Sequence, residues 1–175
     1  VKLVAAGADV HARDESGWTL LMCAAAKFIL PHVKRLVAKG TLPLSRQRQW
    51  EDEVDEIVGS LIAAGVDVNA VSLEDGQSAL SVAASRGDAR VIERLLRAGA
   101  DPNRRCLDAQ TQVIPLICAM EAHSEAAVEA LLAARADVNV VDKDGEGSVV
   151  LSLLTDFMWR SRLAPLLLAS RADPN

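Results

Sequence analysis

The side chains best suited to metal binding or proton transfer are three histidines, and their positions do not join them into a site. His11, His32 and His123 share no common spacing with a cysteine or an aspartate. A metal needs ligands that converge in space, and a nucleophile needs a base within hydrogen-bonding reach. No serine or cysteine lies in a nucleophile motif, and no glycine-rich loop is suited to phosphate. The sequence therefore predicts no enzyme, no cofactor and no metal site.

One acidic stretch in the last fifth of the chain has the spacing of the first part of a calcium loop. Asp142, Asp144 and Glu146 match the first, third and fifth positions of such a loop. The twelfth position, where a bidentate glutamate is required, is Leu153. We therefore interpret the stretch as an ordinary loop of the repeat described below.

The composition excludes several classes of function. The chain of 175 residues has 24 acidic and 19 basic residues, so we expect no nucleic-acid partner. Half of the residues are apolar but only 3% are aromatic, which favours short, closely packed helices over a β-sandwich. The cysteines show no paired spacing and indicate free thiols in a reducing compartment. No apolar run is long enough to span a membrane. We expect an intracellular protein, in the cytoplasm or the nucleus, with no small-molecule substrate and no insertion into a membrane.

A five-residue phrase recurs along the chain and indicates how it is organised. Its best copies run from Gly65 to Asn69 and from Gly99 to Asn103, with an aspartate in the middle. The aspartate position falls at residues 9, 42, 67, 101, 137 and 173, although residue 42 is a leucine in a degraded copy. The intervals are 33, 25, 34, 36 and 36 residues, which indicates internal repeats with one shortened unit.

A second phrase keeps the same phase. The segments 19–25 and 78–84 share a hydroxyl residue, a leucine and a closing pair of alanines. Their period and wording resemble the ankyrin repeat, with its Thr-Pro-Leu-His-x-Ala-Ala phrase. The resemblance implies an all-α solenoid of stacked helix-turn-helix units with protruding hairpin-like fingers, one unit being truncated. A constant spacing supports the resemblance. In three units the leucine of the phrase lies 15 residues before the first residue of a later pair of apolar residues: Leu21 to Leu36, Leu80 to Leu95 and Leu116 to Leu131.

The repeat spacing predicts one array of repeats, which we expect to be a fragment of a longer array, and it divides this array into units. Within the shortened unit only an outer-helix stripe survives, made of Ile57, Val58, Leu61 and Ile62. We interpret residues 45–56 as part of one long helix that bends the solenoid or presents Trp50 to a partner. The expected units are the end of a preceding repeat in 1–13, repeats in 14–44, 71–103 and 104–139, a truncated or degenerate repeat in 45–70 and a divergent repeat in 140–175.

The unit around residue 85 illustrates how local sequence specifies each helix pair. Ser78 is expected to cap an inner helix over residues 79–85, because its hydroxyl can accept from the first free backbone amides. Asp88 is expected to cap the outer helix in the same way. Apolar residues at helical spacing predict the buried stripe of that outer helix, namely Val91, Ile92, Leu95 and Leu96.

Glycine is expected where an outer helix ends. Gly99 predicts a left-handed backbone at that point, which glycine adopts without steric cost. Arg135 and Arg171 occupy the corresponding positions of the last two units. If they keep the left-handed backbone, each costs on the order of 1 kcal/mol. We therefore expect the last two units to be less stable or to end their helices differently.

Three asparagines close the copies of the five-residue phrase. Asn69, Asn103 and Asn139 each lie eight residues after a leucine of the outer helix. Their expected role is hydrogen bonding at the finger bases. The pattern also resembles the hydroxylation sites of ankyrin repeats, which leaves modification as an alternative.

Ankyrin arrays bind partner proteins on a concave face made of finger tips and the exposed side of the inner helices. The resemblance therefore implies a protein–protein interaction module. Trp18 is the sharpest candidate because exposed tryptophan is enriched in binding hot spots, and packing on the neighbouring finger is the alternative. The finger acids suggest a partner with basic groups. The expected contact residues are Glu15, Ser16, Trp18, Lys27, Glu74, Asp75, Gln77, Ser85, Arg86, Gln110, Thr111 and Glu121.

Two other classes of function are compatible with the same residues. The array can be a regulatory or targeting arm of a larger enzyme or channel, which an attached catalytic or membrane region would reveal. It can also be a structural spacer, which predicts fingers without an exposed hot spot. Trp18 and Trp50 count against the spacer.

Overall fold

Helices account for most of the chain that the structure describes. The computed structural model describes residues 9–26, 47–107, 112–140, 163–167 and 169–170. Residues 163–167 are helical. The other elements are, in chain order, α1 (Leu20–Ala25), α2 (Gln47–Ala63), α3 (Ala79–Ser85), α4 (Ala89–Arg97), β1 (Cys106–Leu107), β2 (Gln112–Val113), α5 (Pro115–Glu121) and α6 (Glu125–Ala133).

The helices are arranged in two layers. In the inner layer α1 contacts α3 and α3 contacts α5, whereas in the outer layer α2 contacts α4 and α4 contacts α6. Each inner helix also contacts one outer helix, α1 with α2, α3 with α4 and α5 with α6. The buried apolar side chains form one cluster shared by all these units. The predicted all-α repeat solenoid is confirmed, and β1 and β2 form the antiparallel hairpin of one finger.

Side-chain caps begin two of the inner helices. The Thr19 hydroxyl accepts from the backbone N–H of Met22 at 3.3 Å, and the Ser78 hydroxyl accepts from that of Ser81 at 3.2 Å. The expected cap at Ser78 and the helix over residues 79–85 are both confirmed. A cap of this kind typically contributes about 1 kcal/mol, so the local sequence defines where these helices start.

The outer helix α4 follows its predicted pattern. The Asp88 carboxylate accepts from the backbone N–H of Val91 at 3.3 Å and begins the helix. Val91, Ile92 and Leu95 are fully buried, while Leu96 is half-buried and packs against the edge of the core. The stripe therefore anchors α4 on α3, as helical spacing predicts.

The long helix predicted for the shortened unit is present as α2, but its buried face differs from the predicted stripe. Val58 and Leu61 are buried as expected, whereas Ile57 is 41% exposed and its prediction as a buried residue is wrong. Val54 is buried instead. Residues four and seven positions apart share a helix face, so the stripe is centred on 54, 58 and 61 and leaves residue 57 on its flank.

Left-handed residues end several helices, as predicted. Gly65 and Gly99 have φ of 79° and 89°. Arg135 keeps the same conformation without glycine, with φ of 63°, and His123 has φ of 52° in the turn before α6. A side chain in this region costs about 1 kcal/mol because its Cβ approaches the following carbonyl.

Arg135→Gly is expected to raise the free energy of unfolding by about 0.5–1 kcal/mol, because glycine removes the left-handed strain. Urea unfolding measures the change. Arg97→Gly is the matched control, since Arg97 lies in the helical part of α4, where glycine is expected to lower stability by about 1 kcal/mol. Destabilisation by both substitutions would contradict strain at Arg135.

One ion pair joins neighbouring outer helices. The Arg94 guanidinium on α4 donates two hydrogen bonds to Asp55 on α2, one of them from Nε to Oδ1 at 2.6 Å. These bonds hold the pKa of the Asp55 carboxyl below its ordinary value. The pair is partly exposed, with 40% of the Arg94 side chain accessible, so solvent weakens it.

Asp55→Asn is expected to lower the free energy of unfolding by about 0.5 kcal/mol near neutral pH. The folded pKa of Asp55 is depressed, so the contribution is complete above the unfolded value of about 3.9 and is lost as the pH falls through the folded value. Urea unfolding of both chains near pH 7 and near pH 3 tests this, and an unchanged difference at low pH would count against it. Glu93→Gln removes a more exposed pair with Arg97 and serves as the control.

Candidate protein-binding surface

The first finger is built around one carboxylate. Asp14 Oδ1 accepts from the backbone N–H groups of Ser16 and Trp18, at 3.0 and 2.8 Å. The Asp14 N–H donates in turn to the carbonyl of Trp18 at 3.0 Å. These bonds close a tight hairpin and leave Glu15 exposed at its tip. Asp14 therefore holds the finger in shape, and Glu15 is the carboxylate that the finger exposes to solvent.

The second finger uses a related device. The Ser72 N–H donates to the Gln77 carbonyl at 2.9 Å, and the Gln77 N–H donates to the Ser72 hydroxyl at 2.9 Å. Asp75 accepts from the Ser72 hydroxyl and from the Gln77 N–H. Two of the predicted contact residues, Asp75 and Gln77, are thus half-buried parts of the finger itself, whereas Glu74 is exposed.

The two fingers are bonded to each other. The Leu73 N–H donates to the Ser16 carbonyl at 2.9 Å. The Arg13 guanidinium donates to the carbonyls of Gly17, at 3.2 Å, and Val71, at 2.9 Å. Leu73 itself is 76% exposed. Leu73 and Arg13 carry no signal in the sequence, because only the contact between the fingers gives them a role.

Trp18 and Cys23 lie at the junction of the first finger with its helix. Trp18 is half-buried and packs against the core, so only part of its ring is accessible. Its role as a partner contact stays a prediction. Burial, and then the negative charge of Asp14, raise the pKa of the Cys23 thiol. A raised pKa keeps the thiol protonated and makes Cys23 a poor nucleophile at neutral pH.

The remaining predicted contacts lie at the ends of inner helices. Ser85 and Arg86 at the end of α3 are exposed, as is Glu121 at the end of α5. The Ser85 hydroxyl donates to the Val82 carbonyl at 2.9 Å. Three of the predicted contact residues lie outside the described part of the chain, namely Lys27, Gln110 and Thr111. The side chain of Trp50 also lies outside it.

Asparagines join the bases of successive units. Asn69 donates to the Gly99 carbonyl at 3.0 Å and accepts from the Asp101 N–H at 2.8 Å. Asn103 repeats both bonds one unit later, with the carbonyl of Arg135 and the N–H of Asp137. The expected hydrogen-bonding role is therefore observed for both side chains. Hydroxylation stays an untested alternative.

The described residues do not form a metal site. No group of three or more His, Cys, Asp or Glu side chains among them is placed to hold a metal ion. The acidic stretch that resembles part of a calcium loop, residues 142–147, lies outside the described residues. None of the helices described combines the length and the apolarity needed to cross a membrane.

Paired helices in two layers, with bonded fingers along one edge, define a class of stacked helical-repeat proteins. Within that class, the family described as ankyrin repeats in three copies matches residues 49–142. The chain belongs to the ankyrin repeat family. Repeats of this family are generally protein–protein interaction modules and are typically non-catalytic.

Several known proteins resemble this chain over part of their length. The E3 ubiquitin-protein ligase KEG of Arabidopsis thaliana is 29% identical over 73% of this chain and 8% of its own length. The neurogenic locus Notch protein of Drosophila melanogaster is 33% identical over 82% of this chain and 5% of its own. A putative ankyrin repeat-containing protein of Treponema pallidum is 43% identical over 34% of this chain and 20% of its own. The chain thus spans no more than a fifth of these relatives.

Proposed function

We propose that this array binds a partner protein through its fingers and inner helices, and that the first two fingers are the main contact. We call five exposed or half-buried residues of these fingers the two-finger surface: Glu15, Ser16, Trp18, Leu73 and Glu74. The exposed Leu73 is the observation that carries the proposal. In the described part of the chain only two large apolar residues are exposed, Leu73 and Ile57, and Leu73 lies at a finger tip.

The bonds between the fingers support this role. A loop tip that must be ordered on binding loses conformational entropy, which weakens the complex. The tips here are already held by the Leu73–Ser16 backbone bond and by Arg13, so little ordering is left to be done. A rigid apolar tip with a rim of charged groups is the usual anatomy of a protein interface.

The charges indicate the chemistry of the partner. Glu15 and Glu74 are exposed, and neither takes part in the hydrogen bonds that build the fingers. A partner that brings an apolar side chain to Leu73 and Lys or Arg side chains to the two glutamates complements this surface. The charge match sets association rate and selectivity more than affinity.

The experiment is capture of partners from a lysate with the array and its variants, followed by measured affinities for the proteins identified. Leu73→Ser and Glu74→Lys change exposed residues and are expected to leave the fold intact. Each is expected to weaken binding of the specific partner by about tenfold or more, as loss of a hot-spot contact does. Glu129→Lys, an exposed change of the same kind on α6, is the matched control and is expected to change affinity by less than about twofold.

The outcome separates the candidate functions. Equal losses for Glu129→Lys and Glu74→Lys would show a general charge effect and would contradict the two-finger surface. Losses for variants of Ser85, Arg86 or Glu121 alone would move the contact to the inner helices. An array that captures no specific protein would favour a structural spacer.

A second candidate function is a targeting arm of a larger protein. The relatives that this chain matches include a ubiquitin ligase and a Notch protein, each far longer than the matched region. In such an arm the same surface holds the partner, and the activity lies elsewhere in the parent chain.

A further inference from the structure

The turn between the first inner and outer helices is unlike the other two. Residues 86–88 connect α3 to α4, and residues 122–124 connect α5 to α6. Between α1, which ends at Ala25, and α2, which begins at Gln47, lie residues 26–46. Three residues therefore suffice for two of the turns, whereas 21 residues separate α1 from α2.

The spacing of the helix caps shows the same excess. From Thr19 to Ser78, the caps of α1 and α3, there are 59 positions. A single ankyrin unit spans about 33 positions, so about 26 are additional. The spacing alone allows two explanations, a truncated repeat between two complete ones or one repeat with an insertion.

The contacts distinguish the two explanations. A repeat between the units of α1 and α3 would separate their helices and their fingers. Instead α1 contacts α3 directly, and the Leu73 N–H bonds to the Ser16 carbonyl at 2.9 Å. The Arg13 guanidinium reaches the Val71 carbonyl, 58 positions away in the chain, at 2.9 Å. The outer helix α2 contacts both the inner helix α1 and the next outer helix, α4.

We infer that residues 14–70 form one repeat, with finger and inner helix before residue 27, outer helix α2 after residue 46, and an insertion between them. The predicted repeat 14–44 and truncated repeat 45–70 are then a single unit. When Gly65 is aligned with Gly99, Asp55 corresponds to Ala89, the first residue of α4. Residues 27–54 then take the place of Arg86, Gly87 and Asp88, and 28 residues in place of three account for 25 of the about 26 additional positions.

The insertion changes what the protein presents to a partner. The two-finger surface comes from adjacent units, so it is continuous even though its halves are far apart in the sequence. Helix α2 is also longer at its start than α4 by the eight residues 47–54, which is about 12 Å of helix. Residues 27–46 are not needed to build the surface, because α2 already covers α1.

The test replaces residues 27–46 by a Gly/Ser linker of the same length in the whole chain. Hydrogen exchange at the α1 amides, followed by mass spectrometry, reports whether the first unit stays folded. We expect α1 to stay as protected as in the unchanged chain, because its outer helix is α2. Loss of protection confined to α1 and its finger would overturn the inference, since residues 27–46 would then hold the outer helix. The same replacement of residues 89–97 is the control and is expected to abolish protection of α3.

A second measurement does not depend on the linker. Gly17 and Leu73 touch only if their units are adjacent. Gly17→Ala is expected to lower the midpoint of unfolding, and adding Leu73→Ala to it is expected to raise that midpoint again in part. The reason is that Leu73→Ala removes the Leu73 Cγ, which lies 2.5 Å from the Cβ that Gly17→Ala adds. Additive effects of the two substitutions would show that the units are not neighbours. Neither experiment requires a partner, so failure of the proposed function leaves both interpretable.

Discussion

A chain that carries Leu95→Ala is expected to lose about 3 kcal/mol of unfolding free energy, as truncation of a fully buried leucine typically does. Leu95 is fully buried, and it lies on α4 between the units of α2 and α6. Removing its methyl groups leaves a cavity that the surrounding helices can close only by moving toward each other, which disturbs their packing elsewhere. Urea or thermal unfolding, monitored by circular dichroism, measures the loss.

The position of Leu95 adds a second effect. Stability in a repeat array is the sum of the units and the contacts between neighbours. Weakening the middle unit weakens two interfaces, so unfolding is expected to become less cooperative as well as easier. Leu96→Ala is the matched control, since Leu96 is adjacent but half-buried, and a loss of about 1 kcal/mol is expected there. Equal losses at the two positions would show that the difference in burial between Leu95 and Leu96 does not determine how α4 packs.

Gly17→Ala is expected to cost about 3 kcal/mol for two reasons that add. Gly17 has φ of 78°, where any side chain costs about 1 kcal/mol. A Cβ at this position would also lie 2.5 Å from Leu73 Cγ and 2.8 Å from the Leu73 backbone nitrogen. The nitrogen belongs to the bond that joins the fingers, so the clash cannot be relieved by a change of rotamer alone. Overpacking of this kind typically costs a further 1–3 kcal/mol, or about 2.

Gly65→Ala separates these two contributions. Gly65 has nearly the same φ, 79°, but nothing lies within 4 Å of the Cβ that alanine would add. Only the backbone cost of about 1 kcal/mol is expected at this position. Urea unfolding of both variants gives the difference, which measures the contact between the fingers. Similar losses for the two glycines would show that the first finger does not lie against Leu73.

Much of the helical part of the fold follows from local sequence. Ser78 and Asp88 were predicted as caps, and both accept the expected backbone hydrogen bonds. Each such bond joins residues three positions apart, so its partners are already present in the local sequence. The left-handed backbone at Gly99 follows in the same way, because a helix end needs only its own last turn. For Arg135 the sequence left two alternatives, and the structure has the left-handed backbone.

The candidate surface was less accessible to sequence reasoning. Glu15 and Glu74 are exposed as predicted, but Asp75 and Gln77 are partly used to build their finger. The difference lies in which polar groups the hairpin needs for its own backbone. Leu73 gives no sequence signal, since an apolar residue in a loop is as often buried as exposed until its neighbours are known.

The amino-acid sequence by itself determined the repeat family, the starts and ends of the described α3 and α4 helices, and most of the apolar stripes. These depend on periodicity and on bonds that span one helical turn. Only the tertiary structure decided that Ile57 points away from the core and that Arg13 reaches the carbonyl of Val71. It also decided which units are neighbours. The spacing between Thr19 and Ser78 allows either an extra repeat or an insertion, and direct contacts between distant parts of the chain distinguish them because they require the two units to meet in space.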